Sequence, residues 1–161
     1  MIAPLRLYND MENDLLIQAL SVDSAEWAPL ADYAAAVSWR AGAYLAQLMR
    51  ENRFAEWERV FAAYRGGKPI GFCTLTARDE MPEGCEYTPF IGFVFVDETY
   101  RGNRISERLI AAACAYADSL GYTDIYLTSD ERGLYEKYGF VNRGTVLTAR
   151  GEETQLFTKA L

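Results

Sequence analysis

Histidine is absent from this chain. That excludes histidine-based metal centres, Ser-His-Asp triads and imidazole general bases together. Cysteine is scarce: Cys73, Cys85 and Cys114 are widely spaced and form no CxxC pair. They read as reduced thiols of a cytoplasmic protein, with Cys114 in a helical core position, and no metal site is expected. A basic excess is also missing. Sixteen Lys and Arg stand against 23 Asp and Glu, a net charge of −7. Nucleic acid is therefore not an expected partner, whereas a cationic or amine-bearing substrate is compatible with the charge. No run approaches the roughly 18 apolar residues of a membrane span. Asp10, Glu12 and Asp14 interrupt the first twenty residues, so neither a membrane anchor nor a signal peptide is expected. Repeats, low-complexity stretches and Pro/Gly-rich linkers are lacking too. The expectation is one domain over residues 1–161.

What is present is material for a core. Half of the 161 residues are apolar and 14% are aromatic, enough for a domain of ordinary size. Leu5–Tyr8 reads as a short strand, and Met11–Leu20 as a short helix capped by Asp10. Asp32–Arg50 reads as one helix, with Val37, Ala41, Leu45 and Leu48 at helical spacing. Glu56–Tyr64 and Pro69–Ala77 read as a hairpin around Gly66-Gly67, where paired glycines supply positive φ. Tyr87–Val96 is apolar on both faces, as a central strand is. Arg104–Leu120 carries Ile105, Leu109, Ala113, Tyr116 and Leu120 on one stripe, with Gly121 beyond its end. Strands over Asp124–Thr128, Phe140–Thr148 and Thr154–Lys159 and a helical turn over Leu134–Tyr138 complete the chain. A strand, a helix and a strand in succession require a parallel pair. The class is α/β or α+β with a mixed sheet.

The stretch Val94–Ile110, "VFVDETYRGNRISERLI", holds the chemistry. The first N–H groups of a helix lack partners and carry partial positive charge, so an anion such as a phosphate satisfies both. Gly102 permits a tight turn and a close approach. Arg101 and Arg104 add charge at the same mouth, and Ser106 a small hydroxyl. The loop is a candidate pyrophosphate cradle, though it is neither a Walker loop nor a GxGxxG fingerprint. The same residues also fit a solvent-facing turn whose arginines pair with Asp97, Glu98 or Glu107.

"VDETYRGNRIS" resembles the acyl-CoA-binding signature of the GNAT superfamily of N-acetyltransferases, in which [Q/R]-x-x-G-x-[G/A] opens a helix after an apolar strand. Arg101 matches the first position; Arg104 stands at the usual glycine and Ser106 at the usual Gly or Ala. "GLYEKYGFVNRG", Gly133–Gly144, resembles the family's late motif, and one helix and one strand separate the two. The resemblance implies a mostly antiparallel sheet of about six or seven strands flanked by about four helices. It implies a splay between the fourth and fifth strands that takes the pantetheine arm.

It further implies roles. Acetyl-CoA is the co-substrate and an amine of a small molecule or peptide the acceptor, attacking the thioester directly in a ternary complex. Phe95 and Val96 would pair with the pantetheine, and the Val96 N–H would also stabilise the oxyanion. The main chain of Arg101, Gly102, Asn103, Arg104, Ile105 and Ser106 would hold the pyrophosphate. Tyr135 would protonate the leaving thiolate, or else serve as a packing aromatic; Tyr138 reads as packing. The fourth-strand position that carries a Glu in some relatives falls near Phe90, so Glu86, Asp97 and Asp130 are the remaining base candidates. Trp39, Tyr44, Met49, Tyr87 and Phe90 are candidate pocket residues. The early helices, the 79–86 loop and the last hairpin would form the acceptor pocket. A homodimer is compatible with the family. A CoA-binding sensor without turnover is the alternative to an enzyme.

Overall fold

The computed structural model describes residues 14–161. A seven-stranded sheet in the order β1-β2-β3-β4-β5-β7-β6 forms its centre. Its strands are β1 (Leu15–Leu20), β2 (Arg59–Arg65), β3 (Lys68–Thr76), β4 (Phe90–Val96), β5 (Asp124–Ser129), β6 (Val141–Leu147) and β7 (Glu153–Ala160). Every neighbouring pair is antiparallel except β4 and β5. The helices are α1 (Trp27–Ala36), α2 (Arg40–Arg50), α3 (Ile105–Ser119) and the single turn α4 (Leu134–Lys137).

The sheet has helices on both faces, which explains why β2 and β3 are apolar without alternation. Phe61, Ala63, Cys73 and Leu75 pack with Ile105, Leu109, Ile110 and Ala113 of α3. Val60, Ala62 and Phe72 pack on the other face with Leu30, Ala34, Leu45 and Met49 of α1 and α2. Burying a side chain of this size contributes about 1.5–3 kcal/mol, so both layers hold the sheet. Cys73, Cys85 and Cys114 are all free thiols, and Cys114 is buried as its helical stripe requires. Among the described residues no helix is long and apolar enough to cross a membrane.

Three sequence expectations change. The helix expected over Met11–Leu20 is a strand from Leu15 onward, paired along its whole length with β2 from Leu15↔Arg65 to Leu20↔Val60. A short apolar run is ambiguous between the two states, and here the open edge of β2 decides. Leu5–Tyr8 and the Asp10 cap lie outside the described residues. The helix expected over Asp32–Arg50 begins earlier, at Trp27, and is broken: Val37 and Trp39 are extended, with ψ of 159° and 121°. The break lets α2 fold back on α1. A Cβ at Gly42 would lie 2.4 Å from the Ala34 carbonyl oxygen, so only glycine permits that approach. The hairpin glycines behave as expected, with φ of +58° at Gly66 and +78° at Gly67.

The third change concerns β4, which is not a regular strand. Phe72 faces Phe95 and Thr74 faces Gly92, so Phe93 and Val94 together oppose Cys73. This is a β-bulge, and Phe93 adopts φ +50°, unusual for an aromatic residue. β4 meets β5 at a single registered pair, Phe90↔Tyr126, and beyond it the two strands part.

Candidate active site

A cleft of about 730 Å³ fills the space where β4 leaves β5. One wall is β4 from Ile91 to Val96, and the other is Leu127–Ser129 with Leu134, Tyr135 and Tyr138. The Arg101–Ser106 loop closes one end.

The Asp97 N–H donates to the Ile70 carbonyl at 2.8 Å, so strand alternation turns the polar groups of Val96 away from β3, toward the cleft. The Val96 carbonyl accepts from Arg101 Nε at 2.9 Å, and the guanidinium lies 5.8 Å from the centre of the buried Phe95 ring. Arg101 therefore secures the end of β4. Asn103 Nδ2 donates to the Tyr100 carbonyl at 3.0 Å and fixes the loop. Gly102 and Arg104 take φ of +85° and +58°. Arg104 thus adopts a left-handed backbone of the kind that favours glycine, and its guanidinium is held by Glu107 at 2.7 and 2.6 Å. Of the two arginines, only Arg104 pairs with one of the three acids named from the sequence. Ile105 is buried and offers only its main chain. No side chain caps the start of α3, so its first N–H groups remain open to an anion. Ser106 Oγ lies 2.7 Å from Tyr138 Oη. Tyr138 is therefore more than packing: it ties α4 to the start of α3 beside the cleft.

Tyr135 is 5% exposed and packs against Tyr138, Phe140 and Phe157. Burial pushes its phenol up to about 12, with the Ser129 side chain partly offsetting this. The hydroxyl therefore keeps its proton at neutral pH, as a proton donor must.

Of the aromatic candidates, Trp39 lines the cleft and stacks on Phe95, with ring centres 5.8 Å apart. Met49 is buried on the core face of α2 and lines neither the cleft nor the cavities of Tyr44 and Tyr87. Tyr87 and Phe90 line only a small cavity of about 50 Å³. Tyr44 lines a second large cavity, of about 490 Å³, with Leu48, Arg53, Phe54, Glu58, Thr74 and Arg78. The last hairpin reaches the 79–86 loop, where Ala149 N–H donates to the Glu80 carbonyl at 2.8 Å and Arg150 pairs with the Glu80 carboxylate.

The cleft and the second cavity share Asp79, Gly92 and Phe93. The expected base candidates do not stand there: Glu86, Asp97 and Asp130 line neither cavity. Asp79 belongs to the 79–86 loop expected at the acceptor pocket, but nothing in the sequence singles it out within that loop. Its position depends on β3 ending opposite the start of β4. The Phe93 bulge was equally hidden, because a run of aromatic and β-branched residues predicts an unbroken strand.

A sheet opened between two parallel strands, with uncapped helical N–H groups at its mouth, has the room and polarity for an elongated ligand with an anionic end. Comparison with known families specifies the class. The description "Acetyltransferase (GNAT) family" matches residues 19–140. The chain belongs to the GNAT family of acetyltransferases. No curated protein matches the sequence significantly. Among solved structures, aminoglycoside 6'-acetyltransferase type Ii aligns with a TM-score of 0.70 at 19% identity, covering 90% of this chain and 96% of the other. An aminoglycoside 6'-N-acetyltransferase complexed with coenzyme A aligns at 0.65 and 15%, covering 90% and 96%. A GNAT-family acetyltransferase from Streptococcus pneumoniae aligns at 0.64 and 18%, covering 91% and 99%. At these identities the likeness concerns the fold.

Proposed function

We propose that the protein transfers an acetyl group from acetyl-CoA to an amine by direct attack in a ternary complex. The observation that carries this reading is the meeting of two cavities at Asp79, Gly92 and Phe93. One cavity suits the donor and ends in open helical N–H groups; the other suits an acceptor. Two substrates entering from opposite sides would bring their reacting atoms together without a covalent enzyme intermediate.

In this reading the main chain of Arg101, Gly102, Asn103, Arg104, Ile105 and Ser106 holds the pyrophosphate. Gly102 and Arg104 supply the two left-handed turns that aim their N–H groups. Val96 pairs with the pantetheine arm through the N–H turned into the cleft, and Phe95, whose main chain pairs with Phe72 of β3, borders the arm. The thioester then lies further along β4 toward the bulge, which removes backbone groups from the ladder. A main-chain N–H of β4 between Phe93 and Val96 stabilises the oxyanion, as a preorganised donor does at low reorganisation cost. Tyr135 protonates the leaving sulfur.

A thermal-shift titration with acetyl-CoA, followed by a free-thiol assay across primary amines, tests the reading. At 100 times its Kd a ligand adds about 2.7 kcal/mol, a rise of about 5–11 °C for a domain of this size. A shift with thiol release on one amine class supports the enzyme. A shift with no release on any amine would replace it with a CoA-binding sensor, and no shift would dismiss the cradle.

A further inference from the structure

We infer that Asp79 receives the acceptor as an ammonium ion and takes a proton from it, and that the acceptor is an aliphatic primary amine on an apolar body. This deepens the acetyl-transfer reading and rests on it. Among the described residues Asp79 is the one carboxylate that lines both the donor cleft and the second cavity. Its Oδ1 accepts from the Glu80 N–H at 2.8 Å and its Oδ2 from Thr128 Oγ1 at 3.2 Å. Each oxygen keeps acceptor capacity beyond these bonds. A Cβ at Gly92 would lie 4.0 Å from Oδ1, so the bare glycine leaves open the space between the carboxylate and the β4 bulge.

The other charged groups around Asp79 are largely committed. Glu80 pairs with Arg150. Glu58, across the second cavity, accepts the N–H groups of Ala55 and Ala77 at 2.7 and 2.6 Å. Arg78 and Arg53 are exposed on the second cavity's rim, Arg53 beside Glu51 at 3.6 Å, and Glu131 lies on the cleft wall. Burial raises the Asp79 carboxyl above the ordinary carboxylate range, and the bonds from Glu80 and Thr128 only partly oppose this. A more basic carboxylate is a better proton acceptor near neutrality. Tyr44, Leu48, Phe54 and Phe93 line the same cavity and would pack the acceptor's apolar part.

The step balances as follows. One N–H proton of the ammonium passes to Asp79, and the freed lone pair attacks the thioester carbonyl carbon. A C–N bond forms, the C–S bond breaks, and sulfur keeps the electron pair and receives the Tyr135 proton. The amide nitrogen gives up its second proton, which restores Tyr135 through solvent, and Asp79 returns its own to water. Ammonium plus acetyl-CoA thus yields N-acetylamine, CoA thiol and one proton. An aryl amine, neutral at pH 7, brings no cation for Asp79 to hold.

The test compares the full chain with Asp79→Asn and Thr128→Val on acetyl-CoA with phenethylamine and hexylamine, with aniline as control. Asp79→Asn should lower kcat/KM for the alkyl amines roughly 100-fold, abolish the acid limb of the pH profile and leave the KM for acetyl-CoA unchanged. Thr128→Val, losing a bond that favours the carboxylate, should move the acid limb to higher pH. Wild-type rates and profile in Asp79→Asn, or preference for aniline, would overturn the inference. If wild type turns over no amine, the acetyl-transfer reading fails by itself. Carbon-13 titration of the Asp79 carboxyl then decides: a pKa lowered by hexylamine sustains the site, and no change removes it.

Discussion

The two ends of the candidate active-site cleft offer a ligand opposite means of recognition. At the Arg101–Ser106 end the side chains are largely occupied with the protein itself: Arg101 with Val96, Asn103 with Tyr100, Arg104 with Glu107 and Ser106 with Tyr138. What is left for a ligand is main-chain N–H. At the Asp79 end Asp79 and Phe93 border both cavities, Tyr135 lines the cleft and Tyr44 and Phe54 line the second cavity, and side-chain chemistry dominates. A common donor can be held by backbone, which tolerates sequence change. A particular acceptor requires side chains, which do not.

Substitutions at each end should therefore separate binding from chemistry. The largest effect is expected from Tyr135→Phe, which removes the proposed proton donor and should lower kcat roughly 100-fold with the Kd for acetyl-CoA unchanged. Because burial holds this phenol near 12, it stays protonated through the neutral and mildly alkaline range. It should add no alkaline limb to the wild-type profile below about pH 10. Ser106→Leu works from the other end: it crowds the loop and breaks the bond to Tyr138, and calorimetry should show Kd for acetyl-CoA raised about tenfold or more. An unchanged Kd would mean that the loop does not hold the donor.

Gly71→Ala probes the frame beneath that end. A Cβ there would stand 2.7 Å from the Phe95 carbonyl oxygen, and chemical denaturation should record a loss of about 1–3 kcal/mol. The smallest effect belongs to Arg104→Gly. Glycine relieves a left-handed residue at about 1 kcal/mol, against an exposed, solvent-screened ion pair to Glu107 that contributes little. The Tm should rise by about 1–3 °C with Kd for acetyl-CoA unchanged. A tenfold weaker Kd would show that the guanidinium contacts phosphate and would break the comparison.

The same contrast explains what was legible in the sequence. The donor end is one continuous stretch, so its strand, its glycine and the start of α3 were readable by local rules. Arg104 was readable as an oddity but not as a residue in a glycine's conformation. The acceptor end gathers Tyr44 of α2, Glu58 ahead of β2, Asp79 after β3 and Phe93 of β4. No spacing rule joins them, since their proximity arises only when β2, β3 and β4 pair. The break at Val37–Trp39 was missed for a related reason: local helical spacing continues through it, and tertiary packing at Gly42 overrides the propensity. The strand at Leu15–Leu20 is the simplest case, because its state is set by partners from Leu20↔Val60 to Leu15↔Arg65, far along the chain.

The single registered pair between β4 and β5 has a mechanical consequence. β1–β4 and β5–β7 are two half-sheets, joined in register at Phe90↔Tyr126 and bridged besides by the helix layer and by the bonds of the 79–86 loop to Thr128, Ala149 and Arg150. A donor arm lying along the open edge of β4, as proposed, would act as a missing strand and rivet the halves together. Loading the donor would then raise folding cooperativity as well as stability, so the protein is most nearly one solid body only when it is ready to react.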